Sequence, residues 1–254
     1  MESDRVREPG RSPRLRVFPD ARALVRAAAA QVLWRGRRAV RERGTFNLVV
    51  AGGTTPMALY QGLGSRRTAA SDLWRHTHLF WGDERAVPPD DPASNYGVAW
   101  KVGLQRLAVP PENVHRVLGE SADARRAAIL YESDLRSHFT GSAWPRFDLV
   151  LLGLGADGHI ASLFPGSDAL SERERWTEVA EGGEPPVARV TLTLPALNAA
   201  TDVLFLVTGQ RKTEALGRLL GLPGDHPLPA QRVSPRGERL VFADRAAMGQ
   251  PAGS

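Results

Sequence analysis

Asp157 and His159 lie in a glycine-rich break after a continuous apolar run, and their side chains suit acid–base chemistry. The run, 149–152, is typical of a strand buried on both faces, and the break begins at Gly153. Because ligands bind at the carboxyl ends of strands in open α/β sheets, we expect both side chains at a binding site. Histidine titrates near neutral pH, which suits it to move a proton. The alternative is a structural turn in which Asp157 caps a helix.

Three charged residues, Asp83, Glu84 and Arg85, follow another predicted strand at residues 78–81. They would fall on the same ligand-binding edge of the sheet. The alternative is a solvated loop with internal ion pairs, which adds little stability.

A second glycine turn separates a buried strand at residues 46–51 from a helix at residues 57–63. Its backbone N–H groups, hydroxyls and the positive end of the helix dipole predict a phosphate cradle. The spacing is not that of a nucleoside triphosphate-binding loop, and an ordinary strand-to-helix turn is the alternative. The turn consists of Gly52, Gly53, Thr54 and Thr55.

Strand and helix patterns alternate along the chain, which predicts one α/β domain with a predominantly parallel, doubly wound, Rossmann-like sheet and helices on both faces. We expect the domain to span residues 14–246, between a flexible N-terminal tail at 1–13 and a C-terminal tail at 247–254. Residues 172–186 are charged and contain Gly and Pro, which predicts a surface excursion. Further strands are expected at 14–18, within 110–117, and at 147–153, 187–194, 202–209 and 239–244, and further helices at 21–43, 95–107, 121–139, 195–200 and 211–220.

Composition excludes several classes of protein. The 254 residues contain no cysteine, which excludes disulfides and thiolate chemistry. They also contain no apolar run of membrane-spanning length and no signal-peptide core, so we expect a cytoplasmic protein that does not bind membranes. The net charge of +5 is spread among many acids, which argues against nucleic-acid binding. His76 and His78 would share a strand face, but no third ligand lies nearby in sequence, and we expect no metal site.

Residues 153–158 also satisfy the dinucleotide pattern G-x-G-x-x-G after a strand. That pattern normally opens the first strand–helix unit and requires an acidic residue at the end of the next strand. Neither condition is met here, so the pattern does not predict a nicotinamide cofactor.

Six segments, read in order, resemble the 6-phosphogluconolactonase family across residues 14–246. Small departures, such as AGGTT where the family often has SGGST, keep the turn small and rich in hydroxyls. The segments are 51–56 (AGGTTP), 81–85 (WGDER) with 94–96 (SNY), 153–166 (GLGADGHIASLFPG), 189–198 (RVTLTLPALN), 207–212 (VTGQRK) and 228–230 (LPA).

The resemblance implies hydrolysis of 6-phosphogluconolactone to 6-phosphogluconate, the second step of the oxidative pentose phosphate pathway, without metal or organic cofactor. His159 would activate water, and either Asp157 or Asp83 would orient it. The phosphate or the developing negative charge would be bound by Arg85, Arg189 and Lys212, with the cradle of Gly52, Gly53, Thr54 and Thr55. We expect a small sugar-phosphate lactone as partner, and a monomer or small homo-oligomer.

Two alternatives remain. The related glucosamine-6-phosphate deaminase/isomerases share the Asp-Gly-His turn but carry a proton-transferring glutamate five residues after the histidine, where this chain has Phe164. A non-catalytic sugar-phosphate-binding module is usually joined to a DNA-binding helix-turn-helix, and the residues before Arg14 are too few for one.

Overall fold

Ten strands form two sheets in the computed structural model, which describes residues 12–183 and 187–251. The strands are β1 (Arg14–Phe18), β2 (Phe46–Val50), β3 (Thr77–Trp81), β4 (Asp83–Arg85), β5 (Val114–His115), β6 (Leu149–Leu152), β7 (Thr177–Gly182), β8 (Val187–Leu192), β9 (Asp202–Val207) and β10 (Arg239–Asp244).

The larger sheet has seven strands in the order β1-β10-β9-β6-β2-β3-β5, and each neighbouring pair is parallel. Strands β2, β6 and β9 occupy the centre of this sheet, and every residue in them is buried. Their apolar sequences suit this position, because a central parallel strand is covered on both faces. The predicted doubly wound α/β fold is confirmed.

The smaller sheet is antiparallel, in the order β4-β8-β7. The prediction of a surface excursion at residues 172–186 was wrong over β7, although residues 184–186 lie outside the described part. This segment forms a strand because it pairs along its length with β8, and its Thr177 and Ala180 side chains are buried.

The helices begin and end close to the predicted residues. Asp20, Ser94 and Asp123 each accept a backbone N–H at a helix start, and Gly44 ends the first helix at φ 78°. The third predicted helix stops early, at Val102. The helices are α1 (Ala21–Arg43), α2 (Thr54–Leu63), α3 (Arg66–Ala69), α4 (Asn95–Val102), α5 (Ala124–His138), α6 (Leu194–Asn198) and α7 (Thr213–Leu219).

The packed part of the chain continues past the predicted boundary at residue 246. Ala247 is fully buried, and its N–H donates to Asp244 at 2.7 Å. Of the two predicted tails, residues 1–11 and 252–254 lie outside the described part. Among the described helices, none is long and apolar enough to cross a membrane.

Close backbone contact between α2 and the end of α4 determines where α4 stops. A Cβ on Gly103 would lie 2.0 Å from the carbonyl oxygen of Tyr60, so only glycine fits. The Tyr60 hydroxyl in turn donates to the carbonyl of Ala51 at 2.9 Å and accepts its N–H at 2.8 Å. This packing therefore holds the chain where it enters the Gly52-Gly53 turn.

We expect Gly103→Ala to lower the free energy of unfolding by about 1–3 kcal/mol, because the new methyl group overpacks against rigid backbone. Gly62→Ala is the matched control, since a Cβ there meets nothing within 4 Å inside the same helix pair. It should be neutral or stabilise the protein by up to about 1 kcal/mol. Urea unfolding measures both, and equal effects would contradict the packing argument.

Candidate active site

The predicted site residues converge at the carboxyl ends of the central strands. Strands β2, β3 and β5 lie to one side of the boundary between β2 and β6, and β6, β9 and β10 lie to the other. Ligands bind at this kind of switch point in open α/β sheets. A pocket of about 190 Å³ opens there, lined by Ala51, Gly52, Gly53, Asp83, Arg85, Asn95, Gly153, Leu154, Gly155, His159, Ile160, Ala161, Arg189 and Lys212.

The turn after β6 is a tight loop closed by backbone hydrogen bonds. Gly155 donates its N–H to the carbonyl of His159 at 2.9 Å, and Gly158 donates to Gly155 at 3.1 Å. A Cβ on Gly155 would lie 2.1 Å from Nδ1 of His159, so the imidazole packs directly over this glycine. Ala161 follows at φ 46°, a left-handed conformation that costs energy for a residue with a Cβ.

His159 and Asp157 form a hydrogen-bonded pair at the mouth of the pocket. Nδ1 of His159 lies 2.6 Å from Oδ1 of Asp157, and the two side chains are 35% and 50% exposed. A carboxylate only accepts, so Nδ1 carries the proton and Nε2 keeps a lone pair. The pair therefore presents a base whose tautomer and orientation are set by the acid.

Asp83 takes part in a different network on the other side of the pocket. One of its carboxylate oxygens accepts from the Ser162 hydroxyl at 2.7 Å, and the other accepts from the Asn95 amide at 3.3 Å. Asn95 also accepts a hydrogen bond from Arg85. Asp83 thus connects the β6 turn to α4, whereas Asp157 contacts His159.

Glu84 is buried and points away from the pocket. Its carboxylate accepts the backbone N–H groups of Asn95 and Tyr96, each at 2.7 Å, that of Arg85 at 2.8 Å, and the Ser94 hydroxyl at 3.0 Å. Burial raises the pKa of Glu84, and the backbone donors oppose that rise. This charge therefore fixes the start of α4 to β4, and with it the position of Asn95.

Two arginines lie side by side on neighbouring strands of the smaller sheet. Arg85 of β4 is the register partner of Arg189 of β8, and both line the pocket. Burial, and then the charge of Arg85, lower the pKa of Arg189. Within residues 12–183 and 187–251, neither guanidinium forms an ion pair with a carboxylate. Two adjacent cations of this kind favour an anionic ligand.

Lys212 supplies a third cation from the turn after β9. It lies in the short helical turn Gln210–Lys212 and lines the same pocket. Burial lowers its pKa, while the negative charge of Asp157 opposes that shift. The three predicted cationic residues therefore line the same pocket as His159.

The predicted glycine–threonine cradle is only partly in the pocket. Gly52 and Gly53 line it, and a Cβ on Gly52 would lie 2.1 Å from the Asn95 side chain. Thr54 instead lines a neighbouring cleft, and the hydroxyl of Thr55 lies 2.6 Å from that of Thr208. Thr54 is the first residue of α2, and the part of the two threonine hydroxyls in a phosphate cradle stays a prediction.

Phe164 packs beside the histidine. Its ring centroid lies 4.8 Å from that of His159, and the Arg189 guanidinium lies 5.6 Å from the Phe164 centroid. The backbone of Gly182 passes so closely that a Cβ there would lie 2.6 Å from the Phe164 ring. An apolar ring therefore occupies the position next to the base.

Sequence reasoning missed the roles of two polar residues. Asn95 lies in the segment 94–96 and Ser162 in the segment 153–166, and the sequence predicts no contact for either side chain. Each donates a side-chain hydrogen bond to the carboxylate of Asp83, which is 79 residues from Ser162 in sequence. No local signal reveals contacts over such a separation.

Comparisons with known proteins identify the family of the chain. The family model described as glucosamine-6-phosphate isomerases/6-phosphogluconolactonase matches residues 19–242. A 6-phosphogluconolactonase of Synechocystis sp. is 37% identical over 93% of this chain and 97% of its own, and one of Nostoc sp. is 36% identical over 91% and 95%. The crystal structure of a Thermotoga maritima 6-phosphogluconolactonase superposes with a TM-score of 0.80 at 32% identity, covering 91% of this chain and 99% of its own.

We expect Glu84→Gln to lower the free energy of unfolding by about 1–3 kcal/mol, because an amide NH₂ cannot accept the hydrogen bonds that one carboxylate oxygen accepts. Glu181→Gln, on the exposed side of β7, should change stability by less than about 0.5 kcal/mol. Urea unfolding at neutral pH measures both variants. If the free energy of unfolding of Glu84→Gln equals that of the unchanged protein, this carboxylate does not anchor α4 to β4.

Proposed function

The chain belongs to the family of glucosamine-6-phosphate isomerases and 6-phosphogluconolactonases, and from that premise we propose that it hydrolyses 6-phosphogluconolactone to 6-phosphogluconate. The observation that carries the proposal is an oriented histidine base in a pocket that also contains three cations. A lactone is a reactive ester, so its hydrolysis requires little beyond an activated water and a positioned substrate.

The first step is attack of water on the lactone carbonyl. Nε2 of His159 removes a proton from the water while its oxygen forms a bond to the carbonyl carbon, giving a tetrahedral oxyanion. The carboxylate of Asp157 stabilises the imidazolium through Nδ1, as its 2.6 Å hydrogen bond supports. The cationic side chains of the pocket stabilise the oxyanion charge.

The second step opens the ring. The oxyanion collapses, the bond between the carbonyl carbon and the ring oxygen breaks, and His159 returns its proton to that oxygen as it becomes a hydroxyl. The new carboxylic acid ionises to 6-phosphogluconate, and the histidine is neutral again. No other proton donor is required, because one imidazole serves both steps.

The phosphate group supplies the binding energy that positions the ring. Arg85 and Arg189 stand side by side without carboxylate partners in the described chain, and Lys212 lines the same pocket. We assign phosphate or oxyanion contacts to these three cations and to the backbone N–H groups of Gly52 and Gly53. Asp83 acts here as a positioning residue, because it holds Ser162 and Asn95.

Phe164 favours hydrolysis over the isomerase reaction of the same family. A phenyl ring cannot accept or donate a proton, and it occupies the space beside His159 where a second acid–base group would stand. The cytoplasmic location and the monomeric or small oligomeric state remain predictions from the sequence.

The purified protein should accelerate lactone hydrolysis above the spontaneous rate, and His159→Ala should lower kcat by about 10²–10⁴-fold, because the water loses its base. His226→Ala, in an exposed loop, is the matched control and should keep full activity. Proton release from freshly generated lactone measures the rates. An active His159→Ala enzyme would remove the histidine from this role, and ammonia release from glucosamine 6-phosphate would overturn the proposed reaction.

Arg85→Ala and Lys212→Ala should each raise KM by about 10–100-fold with a smaller change in kcat, because each removes a charge-assisted hydrogen bond to the substrate. Lys101→Ala removes the chain's other lysine, on the exposed surface of α4, and should leave KM unchanged. Initial rates over a range of lactone concentrations separate the two constants. A large fall in kcat at constant KM would instead place that cation at the oxyanion.

A further inference from the structure

Three histidines meet at the edge of the large sheet, away from the pocket. They are His78 of β3, His115 of the two-residue edge strand β5, and His138 at the end of α5. Each histidine has one ring nitrogen in the cluster, and these three nitrogens all lie within 4.8 Å of one another. His78 has no third ligand nearby in sequence, and the fold supplies two partners from residues distant in sequence. His76, the expected companion of His78, is instead near Asp72.

The spacing of the two closest nitrogens suits a metal ion. Nδ1 of His78 lies 3.1 Å from Nε2 of His115. Two nitrogens bound to one tetrahedral Zn²⁺ at about 2.0–2.1 Å are separated by about 3.3 Å. His138 is the last residue of its helix, so its ring can approach the other two with little change in the fold.

Two of the imidazoles are oriented from outside by acceptors. His115 Nδ1 lies 2.9 Å from Oδ2 of Asp134, and His138 Nε2 lies 2.9 Å from Oδ1 of Asn47. Both rings therefore use one nitrogen as a donor and keep the other as a lone pair. Carboxylate and carbonyl partners of this kind orient metal-binding histidines in known sites.

We propose that His78, His115 and His138 bind a divalent transition-metal ion of the Zn²⁺ type. In the metal-free protein Nδ1–H of His78 donates to Nε2 of His115. The metal takes the place of that proton, and His78 becomes the tautomer protonated at Nε2, so all three imidazoles stay neutral. Three imidazoles leave one position for water, and Zn²⁺, Co²⁺ and Ni²⁺ all accept this donor set. The ion would join β3, the edge strand β5 and α5, so its effect is on stability rather than on hydrolysis.

Co²⁺ titration of tag-free, chelator-treated protein tests the site, because tetrahedral Co²⁺ absorbs visible light. We expect one equivalent to bind, and a rise in Tm with added Zn²⁺. His138→Gln should weaken binding at least tenfold, and Asp134→Asn, on the exposed helix surface, by about 10–100-fold. If His138→Gln does not fold, the Co²⁺ affinity of Asp134→Asn tests the site instead.

Two controls locate the bound ion. His226→Gln, in an exposed loop, should bind like the unchanged protein, and so should His159→Gln, which removes the histidine of the pocket. The proposal is overturned if the unchanged protein takes up no Co²⁺. It is equally overturned if Co²⁺ uptake is unchanged in both His138→Gln and Asp134→Asn, or if it is lost in His159→Gln.

Discussion

The hydrogen-bonded register of β9, β6 and β2 determines where every candidate group stands. Leu149 is opposite Leu48 on one side and Asp202 on the other, so the three parallel strands are fixed relative to one another and direct their carboxyl ends toward the same edge of the sheet. A slip of one residue would turn each side chain to the other face of the sheet. Because the strands are buried on both faces, their register is strongly specified, and the short turns that follow place a base, cations and glycines around one pocket.

The sequence predicted those elements whose signals are local. Apolar runs located the central strands, and Asp20 and Gly44 bounded the first helix within a residue. Strand β7 was missed because its charged, glycine-containing sequence acquires strand structure only through its pairing with β8. His159 and Asp157 were recognisable as a candidate pair because they are two residues apart. The hydrogen bond joins this histidine to Asp157 and not to Asp83, and their catalytic roles stay predictions.

Contacts over long sequence separations account for what the sequence did not predict. Ser162 and Asn95 reach Asp83 only after three segments fold, and the three edge histidines meet for the same reason. Glu84 shows the opposite case. Its position among charged neighbours suggested a ligand-facing residue, yet its four donors are backbone and serine groups close in sequence, and it serves the architecture of the pocket.

The pairing of Arg85 with Arg189 has a consequence for the energetics of the whole enzyme. Two like charges held together by strand register repel each other, and burial of Arg189 strengthens that repulsion. In the proposed complex, a phosphate dianion between them would replace this repulsion with attraction. On this proposal, part of the substrate's affinity would come from relief of an unfavourable interaction that is already present in the folded protein. The two arginines would then lower the stability of the free protein, and a bound anion would restore it.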